Sequence, residues 1–307
     1  MAPEKRSGEK RWRVVFIFVD GLGLGEPQPE FNPCTADETG LLTHFKNDVS
    51  TDVPFGGRCL PLDAGLGVPG IPQSATGQTA LLTGENAAQL LGQHRNGFPN
   101  KALRQVLKEK SLLKQIKERG FQPIFINAFR PIFFKLDERL KWLLSTTTVA
   151  TLAAGLPFFT LEDVKAHRSI YQDFTNRDLI QKGFDVPEFT PEEAGQILAA
   201  QVPNYDFILY EYFKTDRAGH SQDMAQAVAE CRKFSRFLEA FLQETNLGET
   251  QIILTSDHGN IEDLRTKNHT TNPAMTLLWG PLTSSWEPRL HALTDVTPVI
   301  LSAFPEK

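Results

Sequence analysis

Five short apolar runs with little polar alternation recur along the chain: 13–20 (RVVFIFVD), 121–129 (FQPIFINAF), 205–213 (YDFILYEYF), 250–257 (TQIILTSD) and 274–280 (AMTLLWG). Their length and their richness in Val, Ile, Leu, Phe and Tyr predict strands covered on both faces, as in a parallel sheet. Between them the period lengthens. Leu103, Leu107, Leu112, Leu113 and Ile116 predict a helix over 101–119, closed by Gly120 where a left-handed cap belongs. Further helices are predicted over 191–202 and 222–245. The first of these opens with Thr190 as N-cap, Pro191 at the first helical position and Glu193 completing a capping box. Strand alternating with helix predicts an α/β fold: a doubly wound, mostly parallel sheet flanked by helices.

Two segments break the alternation. Residues 21–73 are rich in Gly and Pro with few periodic apolar positions, and read as long loops. Residues 130–189 are aromatic and basic, with Phe133, Phe134, Trp142, Phe158 and Phe159 beside Lys135, Arg139, Lys141 and Arg168. They read as a small inserted cap of helices and loops. The expected organisation is therefore a core built from 1–129 and 190–307, interrupted by a cap over 130–189.

Composition narrows the class. A chain of 307 residues with 40% hydrophobic and 22% charged residues suits an ordinary globular protein with a sizeable core. The net charge of −5, mixed along the chain, offers no basic surface for nucleic acid. Cys34, Cys59 and Cys231 are odd in number and lack CxxC spacing, so buried or incidental thiols are expected. The basic start, 1–13, leads into VVFIFV as a secretory leader would. That apolar run is only six residues, ends at Asp20 and has no small-residue cleavage site. No apolar stretch approaches the ~20 residues of a membrane span. A cytoplasmic protein with no membrane partner is expected.

In open α/β sheets, ligands gather at the carboxyl ends of strands. The first predicted strand ends in Asp20, before GLGLG; the third runs into KTDRAGH, with Asp216 and His220; the fourth ends in SDHGN, with Asp257 and His258. His269, in KNHTTNP, precedes the fifth. Singly, each has a plain structural reading: a strand-end Asp caps or turns, a D-x-x-x-H pair decorates one face of a helix, and DHGN makes a turn. Together, three carboxylates and three imidazoles form a mixed O/N donor set suited to Zn²⁺ or Mn²⁺ rather than to an all-oxygen calcium cage. Six donors are too many for one catalytic ion with an open position and about right for two. His44, His94, His167 and His291 have no such setting and read as packing or surface residues.

The stretch IPQSATGQTALLTG, 71–84, carries four hydroxyls, on Ser74, Thr76, Thr79 and Thr83. Its plain reading is a capped turn before a helix. A nucleotide-binding P-loop is excluded, because Gly77 is followed by Gln78 instead of the phosphate-gripping Lys. A nucleophile at the start of a helix also fits: free N–H groups and the positive dipole end would favour an arriving phosphoryl group. The metal pair would activate the hydroxyl.

On these residues the chain resembles the alkaline phosphatase superfamily of binuclear metalloenzymes. Within it, it is most similar to the branch holding cofactor-independent phosphoglycerate mutase and phosphopentomutase. TDRAGH is similar to that branch's Asp-x-x-Gly-His element. SDHGNIED and NHTTNPAMTLLWG resemble its Asp-His-Gly-Asn and His-Thr-Thr-Asn-Pro elements. FVDGLGLG corresponds to its opening metal-binding Asp and LTDVTPVIL to its closing segment, while 130–189 has no matched counterpart.

The resemblance implies an alkaline-phosphatase-like core with one metal held by Asp20, Asp257, His258 and the nucleophile's oxygen. It implies a second metal held by Asp216, His220 and His269, the two ions ~3.5–4 Å apart. The superfamily's nucleophile lies ten residues before the glycine of LLTG, which is Ser74, and the branch's Asn-Ser-x-x-Gly-His pattern laid on QSATGQ selects the same residue. The chain departs from the mutase pattern at Gln73 and Gln78, which replace Asn and His, and it lacks the large inserted substrate domain.

The function implied is a phosphohydrolase that uses two divalent ions, Mn or Zn, and acts on a small phosphomonoester through a phosphoserine at Ser74. Thr76, Gln78, Lys135, Arg139 and Arg168 are the candidate substrate contacts. A phosphomutase is the alternative, followed by a phosphodiesterase or a non-catalytic metal-binding relative. A sulfatase is disfavoured, because no Cys or Ser sits in a C/S-x-P-x-R context.

Overall fold

The computed structural model of the chain describes residues 12–48 and 51–306. The basic segment 1–11, the start of the leader-like stretch, lies outside the described residues. The first predicted strand, β1 (Arg13–Val19), is an interior strand of a seven-stranded sheet. The others are β2 (Asp52–Val53), β3 (Gly57–Leu62), β4 (Pro123–Phe125), β5 (Phe207–Tyr212), β6 (Thr250–Thr255) and β7 (Ala274–Trp279), in the order β2-β3-β7-β6-β1-β5-β4.

β1 pairs in parallel with β5, Val14 beside Phe207, and with β6, Val14 beside Gln251; β4 extends this block beside β5. β7 runs antiparallel to β6, β3 antiparallel to β7, and β2 antiparallel to β3. Five strands thus point one way and two, β7 and β2, the other. The sheet is mostly parallel.

The lack of alternation within the strands has a direct cause. Val15, Ile17 and Val19 of β1 enter the core on one side of the sheet, and Val14, Phe16 and Phe18 the core on the other. The region read as loops, 21–73, contains β2 and β3; Gly57, Arg58 and Pro61 interrupt the apolar pattern of β3.

The helix predicted over 101–119 is two helices, Lys101–Lys110 and Leu112–Glu118. Ser111 leaves the helical region there, donates its amide to Leu107 O, and offers its Oγ to the Ala150 carbonyl at 3.0 Å. The capping box at Thr190 forms as expected. Glu193 N donates to Thr190 Oγ1 at 3.1 Å, and Thr190 N to the Glu193 carboxylate at 2.8 Å.

Residues 130–189 do not stand apart from the core as a whole. The Thr146–Ala153 helix is buried, with Val149 and Ala150 in the same core as Phe16. Ile170, Phe174 and Leu179 belong to the opposite core, where the Phe174 ring stacks against Tyr212 and Phe237 at 5.1 and 4.4 Å. Asn127 bridges to Ile170 and Ala128 to Phe159, tying the segment to the end of β4. The short helices Pro131–Phe134, Glu138–Lys141 and Arg177–Gln181 carry mostly exposed residues.

The three thiols are free and buried. Cys34 and Cys231, distant in sequence, lie with their sulfurs 3.8 Å apart. Among the described residues, no helix is long and apolar enough to cross a membrane.

Candidate active site

β5, β1 and β6 are adjacent and parallel, so their carboxyl ends share one edge of the sheet. Asp20 follows β1. The Lys214–Ser221 helix after β5 carries Asp216 and His220, and the turn after β6 carries Asp257 and His258. β7 is antiparallel and therefore begins at this same edge, which lets the loop before it bring His269 over the site. The Ser74–Thr83 helix completes the ring, with Ser74 as its first residue.

The side chains fall into two groups, Asp20–Asp257–His258 and Asp216–His220–His269, each with ligand atoms within 4.8 Å of one another. His258 Nε2 lies 3.3 Å from Asp20 Oδ1, 3.4 Å from Asp257 Oδ2 and 3.0 Å from Ser74 Oγ. In the second group, Asp216 stands 3.3 Å from His220 Nε2 and 3.5 Å from His269 Nε2. The rings of His258 and His269 stack at 3.6 Å, so the two groups share a wall.

Around these side chains a further set of hydrogen bonds fixes their orientation. His220 Nδ1 donates to Lys267 O at 2.6 Å and His269 Nδ1 to Pro72 O at 2.9 Å, which turns both Nε2 lone pairs inward. Asn260 Nδ2 donates to Asp216 Oδ1 at 2.7 Å. Gln78 Nε2 donates to Asp20 at 3.2 Å and to Asp257 at 3.0 Å. Glu262, fully buried, accepts from Gly23 N at 3.0 Å, Asn260 N at 2.8 Å and Asn272 Nδ2 at 3.1 Å, and also from the Thr270 hydroxyl. Helix and turn approach so closely at Gly77 that a Cβ there would lie 2.6 Å from the Asp257 carbonyl oxygen.

Electrostatics show how the site is charged. Burial, reinforced by Asp257 and Asp216, raises the Asp20 carboxyl well above its ordinary range. Burial also pushes Asp257 up to about 8, against the opposing hydrogen bond from Gln78. Burial holds His258 well below its usual value, and the neighbouring His269 adds to the shift. Asp20 Oδ1 and His258 Nδ1 are buried with no hydrogen-bond partner. Crowded, desolvated carboxylates with an orphaned acceptor and inward-facing imidazole nitrogens are the donor set of a divalent cation. The residues fit such an ion.

These shifts set a pH dependence. With no ion bound, the folded chain keeps protons on Asp20 and Asp257 that the unfolded chain has released, so stability falls as pH rises. His258 and His269, both lowered by burial, act in the opposite direction below their ordinary value of 6.5. Above it only the carboxyl effect remains. Chelator-treated protein is therefore expected to lose stability between pH 6.5 and 8. Excess divalent metal should reverse the trend, because binding requires ionised carboxylates. Denaturation midpoints with and without metal check this. A metal-free chain that gained stability across that window would contradict it.

The expected substrate contacts fare unevenly. Gln78 lines a cavity of about 630 Å³ that opens beside Asp20, Ser74 and Asp216. Thr76 does not line it: its hydroxyl donates to Gln73 O at 3.0 Å and accepts from Arg95 N at 3.2 Å. Lys135 and Arg139 are exposed and absent from the cavity wall, and Arg168 pairs with Asp163 at 2.7 Å. The cations that do line it are Arg130 and Arg217. The amides expected to be free at the helix start are partly used, since Ala75 N and Thr76 N both point to Arg95 O, at 3.0 and 3.4 Å.

The segments that mark the ligands in the sequence also hold Asn260, Glu262 and Arg217, whose parts emerge only from the fold. Arg130 carries no sequence signal. His44, His94, His167 and His291 belong to neither ligand group.

Residues 174–305 match the family model described as Metalloenzyme superfamily. That segment holds Asp216, His220, Asp257, His258 and His269 and excludes Asp20 and Ser74. The chain is similar to 2,3-bisphosphoglycerate-independent phosphoglycerate mutases. It is 30% identical to that of Cereibacter sphaeroides over 125 residues and 31% identical to that of Wolinella succinogenes over 120 residues. Each match takes in 38% of this chain and 24% of the relative, so the chain spans about a quarter of the length of these mutases.

By fold, it is similar to PH0037 protein from Pyrococcus horikoshii: TM-score 0.59, 15% identity, 98% of both chains covered. It is also similar to alkaline phosphatase from the Antarctic bacterium TAB5, with a TM-score of 0.54, 14% identity, and 96% and 99% of the chains covered. At such identities the likeness is one of fold. Residues 174–305 thus match the metalloenzyme superfamily, and the fold of the chain is similar to that of alkaline phosphatase.

Proposed function

We propose that the chain is a phosphohydrolase that cleaves a phosphomonoester through a phosphoserine at Ser74, using two divalent ions, Mn²⁺ or Zn²⁺. The observation that carries this reading is the position of Ser74 Oγ, 3.0 Å from His258 Nε2 and on the wall of the cavity. Asp20, Asp257, His258 and Ser74 would hold one ion; Asp216, His220 and His269 would hold the other. Bound there, divalent ions supply activation of a hydroxyl and stabilisation of charge on the phosphoryl oxygens.

The chain's own residues do the rest. Ser74 Oγ presents itself for in-line attack on phosphorus; the Oγ–P bond forms as the ester P–O bond breaks and the alcohol departs with a proton. Water then cleaves the phosphoserine, giving inorganic phosphate and restoring Ser74. Arg130 and Arg217 line the cavity, and among the described residues no ion pair engages either, so their guanidinium groups are available to non-bridging phosphate oxygens. Gln78 orients two ligand carboxylates and, as an amide, transfers no proton.

The similarity to mutases supports a second reading, in which the phosphoryl group returns to another hydroxyl of the same substrate. That chemistry needs water excluded while the substrate turns. The two short helices within 131–141 offer little cover for it. The test is the product formed from a panel of phosphomonoesters with Mn²⁺ or Zn²⁺. Inorganic phosphate is expected. Isomerisation without release would favour the mutase, and no turnover with either metal would overturn both.

A further inference from the structure

We infer that the alcohol portion of the substrate is apolar, so that the site takes alkyl or aryl phosphates in preference to phosphorylated sugars or glycerates. This rests on the phosphohydrolase reading and adds the class of leaving group. The cavity that begins at Ser74 is walled by carbon: Phe98, Phe129, Ile132, Phe133, Leu136 and Leu144 line it. The wall is braced, with the Phe133 ring 4.3 Å from that of Phe129 and 4.7 Å from that of Phe158.

A sugar or glycerate buried there would need a partner for each hydroxyl, because an unmade buried hydrogen bond is costly. Several of the polar side chains along the wall are already engaged, while Asn96 Nδ2, the Tyr171 hydroxyl and Gln172 remain beside the charged end. Asn127 spends both ends of its amide on the Glu211 backbone, at 2.8 and 3.0 Å. Ser145 and Thr148 bond each other at 2.8 Å, and Glu211 takes the Thr147 hydroxyl at 2.6 Å.

What remains is a charged end, with Arg130, Arg217 and the candidate ligand carboxylates, a few uncommitted polar groups on Asn96, Tyr171 and Gln172, and a wall that is otherwise mostly hydrophobic. The apolar surface also continues outward. Phe98 and Ile132 are 59% and 58% exposed while lining the cavity, and Phe134 and Leu140 are exposed on the two short helices beside it. A cavity of about 630 Å³ has room for a drug-sized apolar group.

The experiment measures phosphate release from n-alkyl phosphates, ethyl to decyl, and from glycerol phosphate, with the full chain loaded with Mn²⁺ or Zn²⁺. Calorimetric binding of the corresponding n-alkyl phosphonates runs in parallel. The value of kcat/KM is expected to rise about two- to fourfold per added methylene, and phosphonate affinity to rise with it. Ile132→Asp, at an exposed position the fold can tolerate, is expected to flatten the dependence on chain length.

Phosphate release that is flat in chain length, or faster from glycerol phosphate, would overturn the inference and leave the phosphohydrolase reading standing. Chain-length-dependent binding without phosphate release would support the apolar cavity and overturn the phosphohydrolase. Absence of both would overturn both.

Discussion

Ser74→Ala is expected to lower phosphate release by about three orders of magnitude or more, to abolish the trapped phosphoenzyme, and to leave the fold intact. The other hydroxyls of the stretch cannot substitute for it. Thr76 donates to Gln73 O at 3.0 Å, and Thr79 and Thr83 donate to Ala75 O and Thr79 O, each at 2.6 Å. All three are buried. Ser74 is half-buried, and the N-cap of its helix is Gln73, so deleting the hydroxyl removes no cap and should change stability by only about 0.5 kcal/mol. Thermal unfolding monitored beside turnover separates the two effects. Activity within threefold of the parent would discard the phosphoserine route.

Glu262→Ala is expected to be the most damaging change at a residue outside the two ligand groups. Its carboxylate is fully buried and accepts from two backbone amides, Gly23 N and Asn260 N, and from the side chains of Thr270 and Asn272. These donors belong to the loops that carry Asp20, Asp257 and His269. Removing the acceptor strands several buried donors at once, a loss of about 3–5 kcal/mol. With the loops loosened, metal affinity should fall about 10- to 100-fold. Glu262→Gln keeps the shape and one accepting oxygen, so its loss should be intermediate. Urea unfolding and metal titration measure both quantities. An unchanged midpoint in the alanine variant would show that the loops hold themselves.

The candidate donor set is legible in the sequence because it rests on residue types at strand ends, and strands buried on both faces announce themselves by unbroken apolar runs. Asp20, Asp216 and Asp257 follow β1, β5 and β6 as that reasoning requires. His269 is different: it precedes its strand, and nothing in the local pattern explains how it reaches the others. The explanation is the reversed direction of β7, which depends on pairing between distant segments.

The segment expected as a cap, 130–189, is hard to read from sequence for a related cause. Aromatic and basic residues over 130–189 look alike whether they cover a site or fill a core. Burial alone distinguishes Phe174, stacked between Tyr212 and Phe237, from Phe134 on the surface. Charge alone points to Lys135, Arg139 and Arg168, whereas the cavity takes its cations from Arg130 and Arg217, whose selection depends on where the folded chain places them.

The position of β1 between β6 and β5 bears on how far the similarity to metalloenzymes can be excised. The matched segment, 174–305, supplies β5, β6 and β7, but β5 and β6 are each bonded to β1 and not to one another. Cut out alone, it would present two bare strand edges facing a gap, the geometry that recruits foreign strands and aggregates. The unit that similarity detects is smaller than the unit that completes the sheet.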